Sequence, residues 1–171
     1  MSIGEIKKID LGGGEQIPTL YELIETIRGK IKLQPEIISP GITNGLINVL
    51  REENIINTSI ISSFEIAELL KVKEIEPGLK LGYIIPRALT KIRMVKKYIQ
   101  RAIDNEFYSI HPYYPLVDKE FVDRAHDNGL KVNVFTVNEE VIMKKLINLD
   151  IDGIFTDDIA LLNKTIGRTY Q

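Results

Sequence analysis

The chain has 171 residues, of which 44% are hydrophobic and 27% are charged, and its formal net charge is −2. These values are typical of one soluble globular domain that is long enough to bury a hydrophobic core. The small negative charge argues against a nucleic-acid-binding protein, and the absence of cysteine excludes disulfides and thiolate metal sites.

Membrane and targeting signals are also missing from the sequence pattern. No apolar run approaches the roughly 18 residues that a membrane span needs. The segment 1–10 has mixed charge and lacks the apolar centre of a signal peptide. We therefore expect a cytoplasmic protein without a membrane span.

The first elements follow an N-terminal segment, 1–16, which ends in the three glycines 12–14. A glycine-rich turn can hold a phosphate, but no strand precedes these glycines and no Lys-Ser/Thr follows them, so a flexible turn is the better interpretation. Thr19 and Glu22 have the spacing of a capping box. They predict a helix that begins at Leu20 and is closed by Gly29.

Short apolar strands then alternate with helices along the rest of the chain. Strands are expected over 30–38, 58–61, 79–85 and 106–110 and within the runs 128–138 and 151–157. Helices are expected over 42–53, 65–72, 88–103, 117–127, 139–149 and 158–165. This alternation predicts parallel strands in an α/β fold, formed by a single domain over 1–171. Ligands of such folds usually bind at the carboxyl ends of the strands.

Two runs near the C-terminus carry a family resemblance. Residues 128–138 read Asn-Gly-Leu-Lys-Val-Asn-Val-Phe-Thr-Val-Asn, and residues 152–157 read Asp-Gly-Ile-Phe-Thr-Asp. In this order and at this spacing they resemble the last two strands of the glycerophosphodiester phosphodiesterase family, a (β/α)8 barrel. Weaker matches, within 17–22, 33–38, 61–64 and 81–83, extend the resemblance from about Gly12 to about Leu162. The resemblance implies an incomplete TIM-type barrel with about six of the eight βα units.

The resemblance also implies a chemistry, the metal-assisted hydrolysis of glycerophosphodiesters with Mg²⁺ or Ca²⁺ as cofactor. The family's His-Arg pair, Glu-x-Asp pair and His-Asp pair have no counterpart in this sequence. We therefore expect a truncated domain that is inactive as an isolated chain.

The alternative is a non-catalytic partial barrel that is structural or binds a phosphorylated small molecule and that oligomerises. An open sheet that binds a nucleotide is a third hypothesis, and the lack of a Gly-rich turn after the first strand argues against it.

Two candidate residues could take part in catalysis or metal binding. Glu36 matches the family's third metal carboxylate, but the lysine that the family has two residues later is Ile38 here. A lone carboxylate rarely holds a divalent cation, so an inherited polar residue at a strand end is the simpler interpretation of Glu36. His111 follows the strand expected over 106–110 and is the candidate general acid or base. That role requires an orienting partner and a suitable pKa, and without them His111 is structural.

The candidate substrate-binding residues are Ser63, at the end of a buried strand, and Phe135, which stands where the family commonly has tryptophan. Phe135 would preserve a hydrophobic wall, although its periodicity also fits the core. His126 lies near the end of a predicted helix, where capping or surface exposure is the simplest interpretation.

Six strands do not obviously close a barrel of eight, because tilt, shear and strand number are coupled. Open edges are therefore expected at 30–36 and 153–155, and such edges invite pairing. We expect a homo-oligomer, or a companion chain that supplies the missing strands. A monomer whose N-terminal segment fills the gap is the next hypothesis. A glycerophosphodiester-type small molecule is the expected ligand.

Overall fold

The structure is a computed structural model that describes residues 1–87 and 92–168, with residues 92–94 described by their backbone alone. Five strands of the described residues form one sheet in chain order, and each neighbouring pair is parallel. They are β1 (Ile60–Ser63), β2 (Lys80–Ile84), β3 (Ser109–His111), β4 (Lys131–Val134) and β5 (Gly153–Ile154). A helix connects each strand to the next, so the sheet is built from successive βα units.

Eight α-helices lie within the described ranges. They are α1 (Ile3–Ile6), α2 (Leu20–Ile27), α3 (Thr43–Glu52), α4 (Ile66–Ile75), α5 (Ile92–Asp104), α6 (Lys119–His126), α7 (Glu140–Ile147) and α8 (Ile159–Thr165). The predicted helix over 88–103 is found from Ile92 onward, and its expected start, 88–91, lies outside the described residues. Short 3₁₀ turns at Ile56–Thr58 and Tyr114–Leu116 were not predicted. No helix in 1–87 or 92–168 is long and apolar enough to span a bilayer.

The capping box at the start of α2 is confirmed. The Thr19 hydroxyl accepts a hydrogen bond from the Glu22 amide at 3.3 Å, and the Thr19 amide donates to the Glu22 carboxylate at 2.7 Å. A second capping box, formed by Ser2 and Glu5, begins the unpredicted helix α1. In both places, reciprocal bonds satisfy backbone amides that a helix start leaves without partners.

The three glycines at 12–14 form a turn that is closed by the carboxylate of Asp10. All three have positive φ, and Asp10 Oδ1 accepts hydrogen bonds from the amides of Gly12 and Gly14 at 2.8 and 3.2 Å. Because Asp10 already occupies these amides, the geometry agrees with a turn rather than a phosphate cradle.

The strand predicted over 30–38 is wrong in its extent. Only Glu36 forms a β-bridge, to Ser62 of β1, although backbone hydrogen bonds also join β1 to Leu33, Pro35 and Ile37. Pro35 has no amide to donate, so a regular ladder cannot pass through it. We call residues 33–37 the edge segment, because they run beside β1 at one end of the sheet.

The two faces of the sheet differ in polarity. One face is apolar and is covered by α4, α5 and α6, and its residues belong to the main hydrophobic core. Paired residues of parallel strands point to the same side, and successive residues point to opposite sides. The register therefore places small and polar residues together on the other face, which we call the inner face: Ser62, Gly82, Ser109, His111, Asn133 and Gly153.

Candidate functional site

The carboxyl ends of the parallel strands meet at one edge of the sheet, and side chains from four of the connecting loops converge there. Phe64 follows β1, Arg87 follows β2, Tyr113 follows β3 and Phe135 follows β4. With Glu36 of the edge segment they form the group that we call the mouth. Ligands of parallel α/β proteins usually bind at such an edge.

Three aromatic rings form the wall of the mouth. The centroids of Phe64 and Phe135 are 6.2 Å apart with nearly perpendicular planes, and Tyr113 and Phe135 are also 6.2 Å apart. Arg87 lies over two of these rings, with its guanidinium carbon 5.1 Å from the Tyr113 centroid and 5.6 Å from the Phe135 centroid. Phe135, predicted to line the site, therefore lies at the centre of this wall.

Glu36 lies on the same side of the sheet as Ser62, because the two residues form a parallel bridge. The Glu36 side chain is exposed, and partial desolvation raises the pKa of its carboxyl above the usual range. Position 38 is occupied by an exposed isoleucine, so it supplies no positive charge beside Glu36.

No group of three or more His, Cys, Asp or Glu residues in the described ranges could hold a metal ion. Divalent hard cations need several oxygen ligands. Glu36 is a single carboxylate, so it does not form a metal site with the other described residues.

His111 is enclosed within the inner face rather than presented at the mouth. It is 1% exposed, and its Nε2 lies 2.9 Å from Ser109 Oγ and 3.3 Å from Asn133 Nδ2. Its ring also packs against Phe155, at 5.2 Å between centroids. Burial lowers the pKa of His111 to about 4, so the ring is neutral at pH 7. Ser109 and Asn133 hold the ring in place, and the enclosed ring has no solvent-exposed edge from which to exchange a proton with a ligand.

Ser63 lies on the opposite face of the sheet from Glu36, His111 and Phe135. Its side chain is fully buried, and its hydroxyl donates to the Ile37 carbonyl at 2.7 Å and accepts from the Glu65 amide at 3.1 Å. This placement does not agree with the expected substrate contact, because the hydroxyl is engaged by the backbone beneath the helices. The inner-face serine at the end of β1 is Ser62.

His126 lies at the other end of the sheet. Its Nε2 is 2.8 Å from Asp152, which also bonds Lys131 and the Val132 amide. These contacts join the end of α6 to the starts of β4 and β5, so His126 has a structural role at this end of the sheet.

Arg87 and Tyr113 were missed by the sequence analysis. Their positions in the sequence could have indicated both, because residues just after a strand lie at the edge where ligands bind. Arg87 lies two residues beyond the strand predicted over 79–85, and Tyr113 lies two residues after His111. They border a groove of about 210 Å³, which is also lined by Tyr114, Thr136, Asn138 and Glu139.

Comparison with known proteins agrees with this architecture. A glycerophosphodiester phosphodiesterase of Caldanaerobacter subterraneus is 36% identical over 170 residues, which cover 92% of this chain and 68% of that protein. A Bacillus subtilis glycerophosphodiester phosphodiesterase is 24% identical over 192 residues, which cover 95% of this chain and 64% of that protein. The chain thus spans about two thirds of the length of these curated relatives.

A solved structure also matches the fold. The phosphodiesterase of Oleispira antarctica in complex with the product sn-glycerol-3-phosphate superposes with a TM-score of 0.82 at 25% identity, over 97% of this chain and 70% of that one. The fold is thus the TIM-barrel-like β/α fold of these proteins, with a sheet that is not closed among the described residues.

The sequence model described as the Glycerophosphoryl diester phosphodiesterase family matches residues 5–161. Since this match covers most of the chain and the Caldanaerobacter relative is 36% identical, the protein belongs to the glycerophosphoryl diester phosphodiesterase family.

Proposed function

We propose that this chain contributes one part of a glycerophosphodiester-hydrolysing site and is inactive as an isolated chain. In this proposal, Glu36 is a carboxylate ligand of a divalent metal, Mg²⁺ or Ca²⁺, and Phe135 is part of the wall against which the substrate lies. The proposal is supported by family membership and by the position of both residues in the mouth.

The observation that carries the proposed inactivity is the position of the two histidines. The sequence contains only His111 and His126. His111 is enclosed between Ser109 and Asn133, and His126 is bound to Asp152 at the far end of the sheet. General acid–base catalysis needs a group within hydrogen-bond reach of the reacting atom, directly or through one water. Neither ring meets this requirement at the mouth.

The metal chemistry requires ligands beyond Glu36. A bound divalent ion would supply Lewis-acid stabilisation of the phosphate charge. Since no group of three or more His, Cys, Asp or Glu side chains in the described ranges could hold a metal ion, the remaining ligands would come from another polypeptide segment, and we derive no catalytic step through the metal.

The second candidate function is a non-catalytic barrel segment that binds a phosphorylated small molecule. The observation that favours it is a groove of about 210 Å³ lined by Arg87. The cationic side chain of Arg87 lies at the mouth, so an anionic ligand could bind there without a metal. Under this hypothesis the chain binds its ligand without converting it.

A hydrolysis assay tests the proposed inactivity. Purified chain is incubated with glycerophosphocholine in the presence of Mg²⁺ or Ca²⁺, and release of glycerol 3-phosphate is measured. We expect no release above the buffer rate. Metal-dependent release that is lost in Glu36→Ala or His111→Ala, but kept in Glu74→Ala on the exposed side of α4, would contradict the proposal.

A further inference from the structure

Arg87 is an exposed side chain that lies over the aromatic wall of the mouth. Its guanidinium lies over the rings of Tyr113 and Phe135, at 5.1 and 5.6 Å from their centroids. A guanidinium stacks well on aromatic faces, and stacking leaves the N–H groups at its edge directed outward in a planar fork. The arginine is thus positioned before any ligand arrives.

The donors of Arg87 are largely unused in the described part of the chain. Its one hydrogen bond runs from Nη2 to Thr136 Oγ1 and is long, at 3.4 Å. No carboxylate of residues 1–87 or 92–168 forms an ion pair with it, whereas Arg28 is paired with Glu53 and Arg51 with Glu76. A guanidinium carries five N–H donors, so Arg87 has donors available for an anion.

The groove beside Arg87 has the size of a small ligand. Its volume is about 210 Å³, below the roughly 300–1,000 Å³ of pockets for drug-sized molecules. Its polar lining includes the Thr136 hydroxyl and Asn138, whose amide is bonded to Asp157. Glu139 is its one carboxylate, so an anion is expected at the Arg87 end.

From this geometry we infer that Arg87 is an anion-binding residue of the mouth that binds a phosphate group. Arginine binds phosphate through two parallel hydrogen bonds, which match the spacing of the phosphate oxygens. Position 38, beside Glu36, is an uncharged isoleucine. The positive charge among the residues of the mouth is that of Arg87, which follows β2. The ligand class is a phosphate ester of a small polyol, and this part of the inference rests on the proposed function.

Binding measurements on the metal-free chain test the inference. The chain is titrated in EDTA with inorganic phosphate and with glycerol 3-phosphate, and affinities are measured by calorimetry at low salt. We expect both anions to bind, and we expect Arg87→Gln to weaken both affinities by about tenfold or more. Arg87→Lys should restore part of the affinity, because lysine keeps the charge but loses the bidentate geometry. Tighter binding of glycerol 3-phosphate than of phosphate would place the polyol in the groove, whereas equal affinities would assign recognition to the phosphate alone.

The matched control is Arg101→Gln, because Arg101 also lies over a tyrosine ring, Tyr98, but belongs to α5 rather than to the mouth. Its affinities should equal those of the parent chain, and circular dichroism verifies that each variant is folded. Unchanged affinity in both Arg87 variants, or no binding of either anion by the parent chain, would overturn the inference. Because the assay contains no metal and measures no turnover, its result is independent of the hydrolysis test.

Discussion

His111 is a titratable side chain that the fold buries on the inner face of the sheet. Burial between Ser109, Asn133 and Phe155 lowers its pKa from 6.5 to about 4. Between these pH values the unfolded chain binds a proton at this position and the folded chain does not. Stability therefore falls as the pH is lowered, because protons favour the state that binds more of them.

This sign leads to a prediction for the pH dependence of unfolding. Between pH 7 and pH 4, His111 should remove on the order of 3 kcal/mol from the free energy of unfolding. Urea denaturation of the parent chain and of His111→Asn at several pH values measures this, since the variant lacks the titrating ring. The control is His126→Asn, which keeps the buried His111 ring. It should therefore keep the loss of stability that this ring causes as the pH is lowered. Identical pH slopes in the parent and His111→Asn would show that the ring is accessible to protons in the folded state.

Gly82 is required by its neighbour on the inner face. A Cβ added there would lie 2.6 Å from His111 Nε2 and 3.0 Å from Ser109 Oγ, closer than van der Waals contact permits. We expect Gly82→Ala to destabilise the chain by about 1–3 kcal/mol, because the buried imidazole must move to accept it. The measurement is urea denaturation at pH 7.

The control for this steric prediction is Gly45→Ala. Gly45 lies in α3, and no heavy atom would lie within 4 Å of its added Cβ. Alanine is the better helix former, so the variant should gain up to about 1 kcal/mol. If Gly82→Ala is as stable as the parent, the inner face is packed more loosely than the distances indicate.

At the scale of elements, local patterns predicted helices α2 to α8 and most strands. The Thr19–Glu22 box and the periodicity over 139–149 depend on residues within one or two turns of helix, so they can be recognised in the sequence. The strand over 30–38 was predicted too long, because apolar pattern alone does not show which amides reach a neighbouring strand. Pro35 breaks the ladder to β1 and leaves an edge segment with one bridge.

At the scale of the whole molecule, the two ends of the sheet have no further strand among the described residues. Next to the edge segment is a largely apolar cavity of about 290 Å³ that includes Ile27, Ile31 and Leu33, and at the other end β5 pairs only with β4. Unpaired parallel edges of this kind favour association. We propose that a second copy of the chain, or a companion chain, covers them.

Light scattering of the purified chain tests this proposal. We expect a mass above the 19.5 kDa of one chain. Ile31→Lys, at an exposed position beside the edge cavity, should shift the population toward the monomer, because a charge there opposes burial. Val141→Lys on α7, which is exposed to a similar degree, should leave the mass unchanged. A parent chain that is monomeric throughout would contradict the proposal.

The sequence by itself determined the α/β class, the order of the helices and the family, because periodicity, capping and motif spacing are local properties of the chain. It also predicted, by resemblance, that Glu36 and Phe135 are site residues. Only the tertiary structure decided that Ser63 faces the helices, that His111 is enclosed, and that Arg87 lies over Tyr113 and Phe135. These facts depend on strand register, that is, on which residues about 25 to 50 positions apart lie side by side. Successive side chains of a strand point to opposite faces, so the register decides which face each side chain takes.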